Sequence, residues 1–234
     1  MPATLPIGPL VDSHPARRPE RVTLKGRWIT LAPLDASAHA EALHEGSNGE
    51  ATREGIWAYL FNGPFATPAE FAADVEVKAR AADPHYFAII DNASGRAVGY
   101  ESLMRIDAPN RVIEVGGIMY TPAMQRTPGG TEAQYLLAAY VFDELGYRRY
   151  EWKCNAFNAP SRRAAERFGF TFEGIFRQHM IIKGRNRDTA WFAMLDSEWP
   201  ARKAAYEGWL QPDNFDREGR QKVKLSELMP KRRE

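Results

Sequence analysis

Two stretches of this chain carry residue types that could hold and work on a phosphorylated ligand. The first is the turn Gln125-Arg126-Thr127-Pro128-Gly129-Gly130, read as opening a helix with Thr131. The second runs Asn158-Ala159-Pro160-Ser161-Arg162-Arg163-Ala164-Ala165-Glu166-Arg167-Phe168-Gly169-Phe170. A glycine-bearing turn at a helix N-terminus offers free backbone N–H groups at the positive end of the helix dipole, which suits an anion. Arg148, Arg149, Lys153, Arg162, Arg163 and Arg167 gather around it in sequence, although any one of them could be a solvated surface charge. Asn158 has the chemistry of an N-cap, and Ser161 sits in the turn that it would cap.

Proton transfer needs a group whose pKa lies near neutrality, and burial moves carboxyls that way. Glu114 alternates with Gly116 and Ile118 along a strand, so it faces a mostly apolar surface and is the first candidate for a base. Glu173, alternating with Phe172, is second and Glu101 third; each could instead be a salt-bridged structural carboxylate. His179 and His85 read as core or rim residues on strands. The five histidines and one cysteine show no metal-ligand spacing, so no metal is expected. No Gly-x-Ser-x-Gly or nucleotide-binding lysine motif occurs, which sets hydrolase and kinase readings aside.

These residues need elements to place them. Met1 to Arg21 holds five prolines among polar residues and reads as a flexible arm. Val22 to Leu34 suits a strand, Asp35 caps a helix to about Gly46, and a second helix runs from Thr67 or Pro68 to about Ala82. Tyr86–Ile90, Ala97–Arg105 and Val112–Tyr120 read as three antiparallel strands. Ala133, Leu136, Leu137, Tyr140 and Val141 share one helical face, and Gly146 closes that helix. Arg149–Cys154 is a strand, Asn158 opens a helix ended by Gly169, and Phe170–Ile182 with Arg187–Leu195 forms a last hairpin. A helix from Trp199 to about Trp209 precedes a polar tail, from Pro212 on, expected to dock weakly.

The 234 residues, 44% of them hydrophobic, can bury one sizeable core. A net charge of +1 leaves no global excess to hold nucleic acid, so any anion site is local. The single cysteine, Cys154, rules out an internal disulfide and suits a reducing compartment. No apolar run approaches the roughly 18 residues of a membrane span. A cytoplasmic protein, monomer or homodimer and not on a membrane, is expected.

The order strand, anion-binding turn, helix, strand, capped helix, hairpin resembles the GCN5-related N-acetyltransferase (GNAT) superfamily, in the branch that modifies N-termini of ribosomal proteins. The matching pieces are Glu114-Val115-Gly116-Gly117-Ile118-Met119-Tyr120, the turn Gln125–Gly130 with Thr131-Glu132-Ala133, the block Asn158–Phe170, and Phe172-Glu173-Gly174-Ile175-Phe176-Arg177. The likeness extends over roughly residues 22 to 198, which would be the acetyltransferase domain between the arm, 1–21, and the C-terminal helix and tail, 199–234. It implies an α+β fold: a mixed, mainly antiparallel twisted sheet of about seven strands, helices on both faces, and a splayed strand pair receiving acetyl-CoA. The family's turn usually has a glycine where Pro128 stands, which removes one N–H donor here.

By the same resemblance, Ile118, Met119 and Tyr120 would align the pantetheine and polarise the thioester. Gln125, Arg126, Thr127, Gly129, Gly130 and Thr131 would cradle the diphosphate. Asn155, Asn158, Ser161 and Arg163 would complete the cofactor site. Glu114, directly or through water, would take the proton of a primary amine, and Ser161 would return one to the leaving thiolate. The acceptor is a protein N-terminus or a small amine, and the acyl group could be larger than acetyl. A non-catalytic acyl-CoA sensor and a protein-interaction module use the same residues differently. Trp57, Tyr59, Phe61 and Phe65 either wall an acceptor pocket or pack as core.

Overall fold

The computed structural model describes residues 7–230. Local chemistry starts its first helices. Asp35 accepts a hydrogen bond from the Ala38 N–H at 2.9 Å to begin α1, Ala36–Ser47. After the short α2, Arg53–Trp57, Thr67 caps the Glu70 N–H at 3.2 Å and Pro68 takes the first position of α3, Pro68–Arg80.

Among the described residues, eight strands form one sheet: β1, Leu24–Lys25; β2, Ile29–Pro33; β3, His85–Asp91; β4, Ala97–Asp107; β5, Val112–Tyr120; β6, Arg149–Asn155; β7, Thr171–Ile182; and β8, Arg185–Leu195. Their order is β1-β2-β3-β4-β5-β6-β8-β7, and only β5 and β6 run parallel. The two-residue β1 is the strand beyond the seven expected. A parallel pair needs a crossover, here α4, Pro128–Ala139, extended by a π turn, Tyr140–Glu144. Helix α5, Ala159–Arg167, links β6 to the final hairpin.

The parallel pair parts in mid-sheet. Its register runs from Val112 opposite Arg149 to Val115 opposite Trp152 and then ends. Beyond that, β5 continues to Tyr120 on β4 alone, and β6 continues to Asn155 on β8 alone. A bulge bends β5 at this place: Tyr100 pairs with Met119 and Ser102 with Gly116, so Glu101 stands against both Gly117 and Ile118. Gly117 adopts φ of 58°, and a Cβ there would come within 2.8 Å of the Tyr86 hydroxyl oxygen.

Each sheet face carries a core. Ile113, Val115, Tyr150, Trp152 and Phe192 pack with Ala133 and Leu137 of α4 and Val141 of its π turn. The other face packs Tyr100 and Met119 with Leu43 of α1, Trp57 of α2 and Phe71 and Val75 of α3.

The ends are more firmly held than their composition led us to expect. The expected arm lies partly outside the described residues, but from Asp12, which Arg111 holds, it is bonded to the body. Ala16 and Arg17 donate backbone hydrogen bonds to Ala108 and Leu145, each at 3.0 Å. Helix α6, Trp199–Trp209, buries Trp199, Tyr206 and Trp209 in the larger core. The tail that follows is anchored, contrary to the expected weak docking. Leu225, on the short α7, Leu225–Leu228, is fully buried, and the Asn214 amide donates to the Trp209 carbonyl at 2.9 Å. Docking is decided by such single apolar anchors, which an average over a polar segment hides.

Candidate active site

The glycine-bearing turn lies inside the helix that it opens. Helix α4 begins at Pro128, earlier than the Thr131 start expected, with Thr127 as the extended residue before it. Pro128 therefore occupies the first helical position, where no helix has a use for the N–H, so the proline costs the helix nothing. Gly129 and Gly130 are buried. A Cβ on Gly129 would meet Ile29 Cγ2 at 2.8 Å, so glycine here lets α4 close onto β2. At Gly130 the nearest atom would be the Met124 carbonyl oxygen at 3.4 Å. Gln125 donates its amide to the Tyr120 carbonyl at 2.9 Å, Thr127 Oγ1 donates to the Met124 carbonyl at 2.8 Å, and Arg126 turns the chain at φ of 62°.

Among the cations expected here, Arg167 is the one placed on the α4 turn, donating from Nη1 to Thr131 Oγ1 at 3.0 Å. Burial lowers its pKa, and its guanidinium lies over Phe168 and Trp209. Arg163 is exposed on α5. Arg149 pairs with Glu151 and Glu173, Lys153 with Glu114 and Glu151, and Arg162 covers Phe172. Sequence proximity did not separate these roles; the last-turn position of Arg167, beside Gly169, was the one available signal.

Across the gap from β5, the start of α5 is built from paired side chains. Asn155 Oδ1 accepts from the Phe157 N–H at 2.9 Å, and Asn158 Oδ1 from the Ser161 N–H at 3.1 Å. The cap thus belongs to Asn158. Ser161 Oγ accepts from Trp152 Nε1 at 3.0 Å, which leaves its own hydrogen to donate, with Cys154 beside it as one acceptor. Cys154 is buried nearby; burial raises its pKa, and a hydrogen bond with Ser161 opposes that.

The three carboxylates are in different situations. Glu114 is 4% exposed and takes both Lys153 Nζ at 2.9 Å and Arg105 Nη1 at 3.1 Å on Oε2. Its Oε1 is directed toward Gly116, where the strands part: a Cβ on that glycine would lie 3.4 Å from it. Burial pushes the Glu114 pKa up, and Lys153 and then Arg105 pull against it. Glu173 is gripped by Arg149 at 2.9 and 2.5 Å, which holds its pKa down. Glu101 is fully buried toward α4, accepting from the Tyr120 phenol at 2.8 Å and the Gln134 amide at 2.6 Å. Burial pushes its pKa up to about 7 against those two bonds. His179 lies at the rim, with Nδ1 3.0 Å from Thr189 Oγ1 and a pKa lowered by burial, and His85 is buried.

The opposite face is roofed by the loop between α2 and α3. The Tyr59 hydroxyl donates to the Phe157 carbonyl at 3.3 Å, and Lys183 of the β7–β8 hairpin donates to the Trp57 carbonyl at 2.8 Å. Of the four aromatics in question, Trp57 is core and Phe65 packs against it, while Tyr59 and Phe61 stay exposed.

Residues 29–171 match the acetyltransferase (GNAT) domain family. The chain belongs to that family. A GCN5-related N-acetyltransferase from Brucella melitensis is 54% identical in its crystal structure, with a TM-score of 0.90 over 92% of this chain and 97% of that one. A Bacillus subtilis protein provisionally named ribosomal N-acetyltransferase YdaF is 32% identical over 47% of this chain. The match spans 59% of that relative's length. The microcin C7 self-immunity acetyltransferase MccE, in complex with acetyl-CoA and AMP, shares the fold, with 21% identity and a TM-score of 0.64 over 73% of this chain and 93% of that one. Among the described residues of this GNAT chain, no helix is long and apolar enough to cross a membrane.

Proposed function

We propose that the protein moves an acetyl group from acetyl-CoA to a primary amine, of a protein N-terminus or a small molecule, by direct attack within one ternary complex. The observation that carries this is the parting of β5 from β6 between the α4 turn and the Glu114 side chain. The residues fit the cofactor. Beyond Val115 the β5 edge facing β6 has no strand partner, and Arg167 adds a cation to the first turn of α4. Acetyl-CoA bound there would supply an activated thioester carbonyl.

In this reading Ile118, Met119 and Tyr120 orient the pantetheine along the free edge, and Gln125 to Thr131, with Gly129 and Gly130, hold the diphosphate end. Asn155, Asn158 and Arg163 complete the cofactor site in the same reading. Glu114 receives the amine proton at Oε1, the oxygen not committed to Lys153 and Arg105. Its burial-raised pKa supports that role. Ser161 gives its hydroxyl proton to the leaving thiolate, turning from Cys154 to do so. The protein works in the cytoplasm, and YdaF's name favours a ribosomal N-terminus among acceptors. Incubating the protein with acetyl-CoA and a panel of amines and peptides, read by mass spectrometry, tests this. Tight acetyl-CoA binding with no acetylated product would instead favour a sensor.

A further inference from the structure

Arg187 is a buried cation held by no direct ion pair among the described residues. It lies on β8 opposite Met180 and is 7% exposed. Its Nε is sealed from solvent without an acceptor, whereas the two terminal nitrogens are not sealed in that way. The guanidinium lies 5.4 Å from the Phe61 ring centroid, on the loop between α2 and α3. Strand alternation puts Arg187 on the same face as Thr189 and Trp191, and Trp191 carries Lys153 Nζ 3.9 Å from its ring centroid.

The nearby carboxylates are already taken. Glu114 serves Lys153 and Arg105, Glu151 serves Lys153 and Arg149, and Glu173 serves Arg149. Burial lowers the pKa of Arg187, the Cys154 sulfur and then Glu114 favour its protonated form, and Arg105 opposes it. His179, beside it, is under the influence of Arg105, Arg187 and Lys153 together. A buried cation with no partner is costly, and an anion delivered by a ligand relieves that cost.

We infer that Arg187 is a specificity residue, pairing with a carboxylate or phosphate carried by the acceptor amine. This rests on the transferase reading above. Two matched pairs of probes separate the possible anions: Ala-Asp-amide against Ala-Asn-amide, and O-phosphoethanolamine against ethanolamine. The wild type is expected to favour the charged member of at least one pair by roughly tenfold or more in kcat/KM. Arg187→Met should bring that ratio close to one, and Arg187→Lys should restore part of it. Calorimetry of the same probes on CoA-saturated protein reads the preference without turnover, so it decides the inference even if no amine is acetylated and the transferase reading fails. Arg187→Met should also raise the melting temperature, because it removes an unpaired buried charge. Equal use and equal binding of both members of each pair would overturn the inference. So would a lower melting temperature, or loss of acetyl-CoA affinity in Arg187→Met, which would assign the arginine to structure or to the cofactor.

Discussion

Glu114 holds Lys153 and Arg105 on one oxygen, so its replacement has two effects that must be read apart. Glu114→Gln should lower turnover by roughly 10²- to 10⁴-fold if the carboxylate is the base. Because burial raises its pKa, the wild-type rate should climb with pH through that shifted value, and the variant should lose this limb. Stability falls separately, since Lys153 keeps only Glu151. Ser161→Ala leaves the Trp152 indole N–H unpaired, which costs about 1–3 kcal/mol in the melting curve. Turnover measured well below that melting point should fall by a further tenfold to a hundredfold if the hydroxyl is the acid. Period-two alternation made Glu114 legible in the sequence. Its partners were not: Arg105 reaches it from a bulged stretch with φ of 49°, and Lys153 from a strand distant in sequence.

Helix α4 shows how an element can be recognised and still misplaced. Its apolar period, its closing Gly146 and its position after β5 were all readable. Its true start was hidden because proline and glycine look like a loop, yet Pro128 is well suited to a first turn. Nothing local announced Glu132, whose carboxylate accepts the backbone N–H groups of Arg27, Trp28 and Ile29 at 2.7, 2.7 and 2.9 Å and ties α4 to the β1–β2 turn. The two glycines of the turn should therefore answer differently. Gly129→Ala should cost stability by about 1–3 kcal/mol, since the methyl meets Ile29. Gly130→Glu should keep the fold by circular dichroism and weaken acetyl-CoA binding in calorimetry, because it brings negative charge to the anion turn.

The molecule as a whole should lose stability as pH rises from 4.5 to about 7, through one buried group. Glu101 has its pKa raised from 4.5 to about 7, so the folded state keeps a proton that the unfolded chain has lost between those values. Its contribution to stability is full below the lower value and is lost as pH rises through the upper one, by about 3 kcal/mol in total. Glu101→Gln should remove this slope, so that urea midpoints of variant and wild type diverge from pH 4.5 to 7. An unchanged difference across that range would show that Glu101 does not hold the proton. The individual elements were readable from periodicity, and the α+β architecture with its split sheet followed from the family resemblance that their order carries; the anchored ends rest on single contacts that no average reveals.

Cys154 turns the burial beside the parted strands into a clock. With the only thiol of the chain covered and its pKa raised, a disulfide reagent has nothing to attack until that part of the sheet opens. The labelling rate at saturating reagent then counts openings of the native protein one by one. Acetyl-CoA seated between β5 and β6 should slow that count in proportion to its occupancy, without a label or a mutation. If labelling is fast, and indifferent to acetyl-CoA, the ligand does not sit where the strands part.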